Sequence, residues 1–184
     1  MNQFQSLVNE IAAITLRNLP ISVILTVVII LITNAKTKDA TNWKSKEALR
    51  RKCLYVYLTM ILSITLFLRS YQPNPFKEIV GKWFLRYRSG FWHHSNIENI
   101  LLFIPLCPLV FVNLYKKHGL IGVLWRGIVL SVGTTLLIEV TQAIFHRGTF
   151  QLSDLFFNTI GGVIGLLIYM VTKAIKQKRK YPTT

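Results

Sequence analysis

Apolar runs close to the length of a membrane crossing are the feature that most restricts how this chain folds. A helix needs about 20 apolar residues to cross a bilayer, and five runs approach that length, at residues 19–33, 53–68, 97–115, 127–145 and 155–172. Backbone polar groups have no water to bind inside a bilayer, so such runs are expected to be α-helical. The sequence predicts an all-α, polytopic membrane helical bundle with about five transmembrane helices.

The basic residues lie where a membrane protein carries them. The chain has 184 residues, 52% of them hydrophobic, and a formal net charge of +15. Lys and Arg gather at the ends of the apolar runs, which is typical of membrane flanks, and anionic lipid is a sufficient partner for them. We therefore expect membrane lipids as partners and no nucleic acid. Cys53 and Cys107 lie in apolar runs and are interpreted as packing residues.

The distribution of Lys and Arg also predicts an orientation. With the N-terminus outside, the inner segments carry 15 of these residues and the outer segments seven. That bias favours an N-out, C-in arrangement. The outer segment around 69–95 is basic for an external loop, but it is also rich in aromatic residues. Because Trp and Tyr favour the headgroup level, we expect this segment to lie in the membrane interface.

Three regions follow from this arrangement. Residues 1–18 place apolar side chains at helical spacing without a preceding basic stretch, which favours an interfacial helix over a secretory signal. Residues 19–172 form a single transmembrane domain. Residues 173–184 form a basic cytoplasmic tail, which we expect to be solvated.

Polar residues inside the apolar runs predict a functional site. A charge at the centre of a membrane helix costs about 2.5–3.5 kcal/mol on insertion scales, so it needs a partner. Glu139 and Gln142 are spaced i, i+3, and Asp154 and Asn158 are spaced i, i+4, so each pair shares a helix face. In the predicted orientation these residues converge on the outer leaflet. The candidate ligand-binding set is Arg69, Glu98, Asn99, Glu139, Gln142, Arg147, Asp154 and Asn158.

A second group of residues is predicted to shape the packing of the helices. Pro105 should kink the third run and leave carbonyl groups for neighbours to satisfy. Gly161 and Gly165, with Gly162 between them, form a stripe of small residues that permits close approach of another helix. Contact through this stripe within the chain and a homo-oligomer formed through it are both open.

The polar and small residues together resemble the VanZ-like family. The motifs are Asn99-Ile-Leu-Leu-Phe103-Ile-Pro105, Glu139-x-x-Gln142, Arg147-Gly148, and Asp154-x-x-x-Asn158-x-x-Gly161-x-x-x-Gly165, with Arg69 and Asn74-Pro75-Phe76 upstream. The resemblance covers about residues 54–170. One departure is Cys107, where the family pattern usually has glycine, which alters the kink expected after Pro105. The resemblance implies a small integral membrane protein linked to resistance against glycopeptide or lipoglycopeptide antibiotics such as teicoplanin.

Three functions remain open at this stage. In the leading hypothesis Arg69 and Arg147 bind phosphate or carboxylate, while the acids and amides bind a lipid-linked cell-wall precursor headgroup or the drug. In the second, Glu139 and Asp154 are the catalytic acid and base of an intramembrane enzyme. The third is an accessory subunit of a transport system. Against all three stands a structural alternative, in which Glu139–Arg147 and Asp154–Arg69 are internal salt bridges.

A metal site is the weakest of the interpretations considered. His94 and Glu98 are spaced i, i+4, and His93 or His146 would have to complete a ligand set. Such a local pair is common by chance. We therefore expect no metal and no cofactor.

Overall fold

The computed structural model describes residues 46–67, 69–88, 91–111 and 120–180, together with 23–29 and eight scattered positions before them. Five α-helices account for most of these ranges: α1 (Lys46–Leu62), α2 (His94–Phe103), α3 (Leu106–Val110), α4 (Leu120–Ile144) and α5 (Leu152–Lys180). A π-helical turn, Ser63–Phe67, continues α1. Extended pairing in the described ranges is limited to two isolated bridges. The predicted all-α class is confirmed.

Among the described residues, two helices have the length and apolar composition needed to cross a membrane. They cover Ile121–Ile144 in α4 and Leu152–Lys176 in α5, while His94–Val110 is a shorter apolar helical stretch. Residues 23–29, inside the first predicted run, are helical, and Thr26 bonds with Thr59 of α1 at 2.8 Å between their hydroxyl oxygens. The end of the third predicted run, at 112–115, and most of the predicted interfacial helix at 1–18 lie outside the described residues.

The helices extend further into the basic segments than the apolar runs indicate. α1 begins at Lys46, ahead of the second predicted run at 53–68, and α5 continues to Lys180 through most of the predicted tail. Lys, Arg, Glu and Ala have high helix propensity. Once an apolar helix has formed, adding such residues to its end needs no new nucleus.

The break between α2 and α3 falls at the predicted kink. α2 ends at Phe103, and Ile104 and Pro105 form a turn before α3 begins. Proline lacks an N–H group, so Pro108 leaves the Ile104 carbonyl without its usual helical donor. The α5 backbone meets this point, because a Cβ added at Gly165 would collide with the Ile104 carbonyl oxygen. A Cβ at Gly161 would likewise collide with the Ile100 carbonyl oxygen.

The remaining small and sulfur-bearing residues fill the junction of α3, α4 and α5. Gly162 faces α4, where a side chain would collide with the Ser131 hydroxyl. Cys107 is fully buried, and its Sγ lies 3.8 Å from both the Gly127 carbonyl oxygen and the Ser131 hydroxyl oxygen. The stripe containing Gly161 and Gly165 is therefore occupied within the chain, by the α2–α3 segment.

The segment between α1 and α2 is irregular and lies across the turn that joins α4 to α5. The backbone N–H of Gln72 donates to the His146 carbonyl, and the N–H groups of Phe150 and Leu152 donate to Pro75 and Ile79, each at 2.8 Å. These bonds hold the segment at the level where α4 ends and α5 begins.

Candidate functional site

Two buried carboxyl groups meet between α4 and α5. Glu139 lies about one and a half turns before the end of α4, and Asp154 lies in the first turn of α5. Their side chains are 2% and 4% exposed, and the two carboxyl groups interact directly. The short connection between the helices produces this meeting, because it reverses the chain within a few residues. Two buried acids in contact require a proton, a cation or a hydrogen-bonding ligand to offset their repulsion.

Arg69 supplies positive charge to both acids. Its charge acts on Glu139 and on Asp154. Its side chain passes over Gly148, where an added Cβ would lie 3.6 Å from the Arg69 Cδ. Gly148 has a φ of +95°, a conformation that L side chains rarely adopt, so glycine here serves both the turn and the passage of Arg69.

Arg147 has a different environment from Arg69. It is exposed, and its Nη1 donates to the Arg69 carbonyl oxygen at 3.4 Å. Glu139 instead accepts a hydrogen bond at Oε2 from the backbone N–H of Gln151, at 2.8 Å. Arg147 therefore supports the backbone at Arg69. It does not form the salt bridge with Glu139 that the structural alternative requires.

Gln142 ties the cluster to the π-helical turn after α1. It is 2% exposed, and its Nε2 donates to the Thr65 carbonyl oxygen at 2.6 Å. The backbone carbonyl of Gln142 accepts a hydrogen bond from the backbone N–H of Arg147 at 2.8 Å. A π-turn changes the hydrogen-bond register of a helix, which allows a carbonyl such as that of Thr65 to accept a bond from outside the helix. Gln142 thus links α1, α4 and the turn that follows α4.

Three buried polar atoms in this cluster have no hydrogen-bond partner among the residues that the structure describes. They are Asn99 Nδ2 on α2, and Asp154 Oδ1 and Asn158 Oδ1 on α5. The Asn99 amide lies beside the Asp154 carboxyl group, but its Nδ2 lacks the geometry of a hydrogen bond. Buried polar atoms are rarely left unpaired, because each costs about 1–3 kcal/mol. One donor and two acceptors are therefore available to a polar ligand or to ordered water.

Five of the eight predicted site residues belong to this cluster: Arg69, Asn99, Glu139, Asp154 and, one turn along α5, Asn158. Gln142 adjoins it through its backbone and side-chain bonds. Glu98 is half-buried next to Asn99, and a helix turns about 100° per residue, so the two side chains leave α2 in different directions.

Some residues important to this region carry no clear signal in the sequence. Gln151 contributes a backbone N–H group, which any residue except proline has. Asn96 is 1% exposed, and its Nδ2 donates to the carbonyl oxygens of Lys82 and Phe84 at 2.8 and 2.7 Å. Its position three residues before Asn99, on the same helix face, was the available indication. Ser153 is fully buried beside Gly81 and interacts with Asp154.

Metal-binding side chains do not gather anywhere in the described ranges, where no three His, Cys, Asp or Glu residues are placed to hold an ion. His93 has a structural contact instead. It precedes α2, and its Nδ1 accepts the Asn96 backbone N–H at 3.4 Å, as the cap of the helix.

Comparison with known proteins identifies the family. Residues 21–173 match the family described as VanZ/LLP1. The chain belongs to the VanZ/LLP1 family. It is also 36% identical over 84 residues to Protein VanZ of Enterococcus faecium, a match that covers 45% of this chain and 49% of that protein. The chain thus spans about half the length of this curated VanZ relative. No solved structure matches the chain. The VanZ-like resemblance seen in the polar and glycine motifs is confirmed.

Proposed function

We propose that the chain is a multi-pass plasma-membrane protein that contributes to glycopeptide or lipoglycopeptide resistance, with teicoplanin as the representative drug. The buried polar cluster would bind the headgroup of a lipid-linked cell-wall precursor or the drug itself. Membership in the VanZ/LLP1 family and the similarity to Protein VanZ support the biological context. The chemistry of the cluster supports the binding function.

The proposal includes a membrane arrangement. Five spans with the N-terminus outside and the C-terminus inside put the α4–α5 turn at the outer face, within one transmembrane domain at 19–172 and ahead of a cytoplasmic tail at 173–184. The membrane-crossing length of α4 and α5 supports this arrangement. So does the position of Glu139 and Asp154 close to the ends of those helices that meet at the turn.

The observation that carries the proposal is the set of unpartnered atoms beside the two acids. Arg69 offers paired N–H donors for a phosphate or carboxylate. Asp154 Oδ1 and Asn158 Oδ1 accept hydrogen bonds from hydroxyl or amine groups, and Asn99 Nδ2 donates one. A mixture of donors and acceptors suits a headgroup with hydroxyl or amide groups better than a simple ion. Membrane lipids complete the set of partners we propose.

Drug susceptibility of cells that carry matched variants tests this function. A host lacking the gene would express wild type, Glu139→Gln or Glu78→Gln at equal membrane abundance. Glu78 is an exposed acid in the irregular segment between α1 and α2, so it receives the same chemical change outside the cluster. We expect wild type and Glu78→Gln to protect against teicoplanin and Glu139→Gln to lose protection. Equal protection by all three proteins would contradict a role for Glu139 in resistance.

A second candidate is an acid–base enzyme acting on a lipid-linked substrate, with Glu139 and Asp154 as the catalytic groups. The contact between their two carboxyl groups favours it, because such a pair shares a proton and can donate or accept one. Mass spectrometry of lipid precursors incubated with the purified protein separates the two candidates. A binding protein leaves the precursor masses unchanged, whereas an enzyme changes them.

A further inference from the structure

The surface segment, residues 71–88 and 91–93, lies at the end of the two membrane-length helices where α4 passes into α5. Pro75 and Ile79 accept backbone hydrogen bonds from Phe150 and Leu152, which flank the start of α5. Trp83 packs on Phe156 in the first turns of α5, with ring centroids 5.2 Å apart. If α4 and α5 cross the membrane as proposed above, this segment lies at the headgroup level. The inference below rests on that arrangement.

Many large apolar side chains of the surface segment are exposed. Five of its most exposed are Tyr71, Val80, Phe91, Phe76 and Trp83, each more than half exposed. A patch of this kind marks a contact with a protein or a membrane. Tyr and Trp are the side chains that favour the boundary between headgroups and acyl chains. Because these side chains lie beside the ends of α4 and α5, we expect membrane lipid to cover them.

A basic cavity opens within the same segment. It has a volume of about 540 Å³ and is lined by Phe84, Arg86, Tyr87 and Arg88. The backbone N–H of Tyr87 donates to the Phe91 carbonyl and that of His93 to the Leu85 carbonyl, both at 2.8 Å. These bonds pair two short extended stretches and hold the arginines on an ordered support.

Buried contacts beneath the cavity keep its lining in place. Asn96 donates to the carbonyl oxygens of Lys82 and Phe84, which ties the segment to α2. His93 packs against the rings of Phe84 and Tyr87, at 5.3 Å between centroids in both cases. The Arg86 guanidinium lies over the Trp92 ring, 5.6 Å from its centroid. A guanidinium carries five N–H donors, and its planar fork matches the oxygens of a phosphate.

We infer that the cavity lined by Phe84, Arg86, Tyr87 and Arg88 binds the phosphate of an anionic phospholipid from the surrounding membrane. Two arginines provide the charge complement to a phosphodiester, and Lys77 and Lys82 add positive charge along the same exposed segment. Phe84 and Tyr87 in the lining are themselves exposed, as is Phe91, which is bonded to Tyr87 through the backbone, and these rings would contact the glycerol and acyl region of the same lipid. A soluble phosphate would leave those side chains uncovered, which is why we assign the site to a lipid. It is separate from the buried cluster of Glu139 and Asp154.

Lipid titration of the purified full-length protein, followed by native mass spectrometry in detergent, tests the inference. The probes are phosphatidylglycerol and phosphatidylcholine with identical acyl chains. The test variant is Arg86→Gln with Arg88→Gln, and the control is Lys173→Gln with Lys176→Gln, which removes the same charge from the opposite end of α5. We expect wild type and control to prefer phosphatidylglycerol. The test variant should bind it about 25-fold more weakly, given about fivefold for each basic residue at a membrane surface.

Each alternative result has a defined meaning. An unchanged preference for phosphatidylglycerol in the arginine variant overturns the site, and so does an equal loss in the control. Competition by soluble glycerol phosphate as effective as that by the lipid overturns the assignment to a lipid. Carbonate extraction of cell membranes tests the underlying arrangement separately. A chain released by carbonate contradicts membrane insertion itself, whereas a chain that is retained but lacks lipid preference contradicts only this inference.

Discussion

Two buried asparagines illustrate how residues of one type serve different ends in this protein. Asn96 uses its Nδ2 to bond two carbonyl groups of the surface segment. Asn158 is also buried, but its Oδ1 has no hydrogen-bond partner in the described part of the chain. The Asn96 amide therefore stabilises the fold. The unpaired Asn158 oxygen destabilises it, and a hydrogen bond from a bound ligand would offset that loss.

The same substitution at both positions separates stability from function. Asn96→Leu leaves two carbonyl groups without their donor, so we expect a loss of about 1–3 kcal/mol in the free energy of unfolding. Asn158→Leu removes an unpaired acceptor, so its thermal stability should equal or exceed that of wild type while protection against teicoplanin is lost. Thermal unfolding in detergent and susceptibility assays measure the two effects. Full protection by a stable Asn158→Leu protein would contradict its place in the ligand site.

At the scale of elements, backbone contact between helices explains the glycines of α5. Gly161 and Gly165 stand against the carbonyl groups of Ile100 and Ile104 in the α2–α3 segment. Such contact brings Asn99 within reach of Asp154, because α2 and α5 approach without side chains between their backbones. The position of the polar cluster thus depends on the apolar packing beneath it.

Alanine substitution at two glycines tests this packing. At Gly165 the new Cβ would meet the Ile104 carbonyl oxygen, which cannot move without the helix, so we expect destabilisation of about 1–3 kcal/mol. At Gly133 of α4 nothing lies within 4 Å of the new Cβ, so alanine should be neutral or stabilising by up to about 1 kcal/mol. Midpoints of thermal unfolding provide the comparison. Equal midpoints for the two variants would show that α2 and α5 do not pack as described.

The cap of α2 predicts a dependence of stability on pH. His93 is buried near the positive charge of Lys82, and burial first, then that charge, lowers its pKa below the usual 6.5. Its Nδ1 accepts a hydrogen bond only when it is unprotonated. A histidine with a lowered pKa contributes stability that is complete above its unfolded pKa and lost as the pH falls through its folded pKa.

The variant His93→Asn keeps a capping side chain but removes the titration. We expect the thermal stability of wild type to fall between about pH 7.5 and pH 5, and that of His93→Asn to fall less. The measurement is the midpoint of unfolding at several pH values for both proteins. Parallel curves would assign the pH dependence to other groups.

At the scale of the whole molecule, the proposed orientation predicts which ends of α4 and α5 face the outside. Single cysteines at Glu78 and Lys176, in a background with Cys53→Ser and Cys107→Ala, report the two faces. A membrane-impermeant maleimide should label position 78 in intact cells and position 176 only after the cells are opened, because most Lys and Arg residues stay on the inner side. Labelling in the reverse order would contradict the N-out, C-in arrangement.

The sequence alone determined the all-α class and most of the residues that meet in the buried polar cluster. Apolar runs require helices whatever their neighbours, and the i, i+3 and i, i+4 spacings of Glu139, Gln142, Asp154 and Asn158 follow from helix geometry. The motif pattern was sufficient to indicate the VanZ-like family. The apolar runs did not predict where the helices end, because charged helix formers such as Lys46 and Lys180 extend a helix without adding to an apolar run.

Only the tertiary structure decided how these residues combine. It placed Arg69 where its charge acts on both acids, and it left Arg147 exposed at the surface. It also left one polar atom without a hydrogen-bond partner on each of Asn99, Asp154 and Asn158. It also assigned Gly161 and Gly165 to contact within the chain. Distances between side chains on different helices depend on how close the backbones approach and how each turn reverses the chain. Those quantities arise from packing across the molecule, and no local spacing in the sequence specifies them.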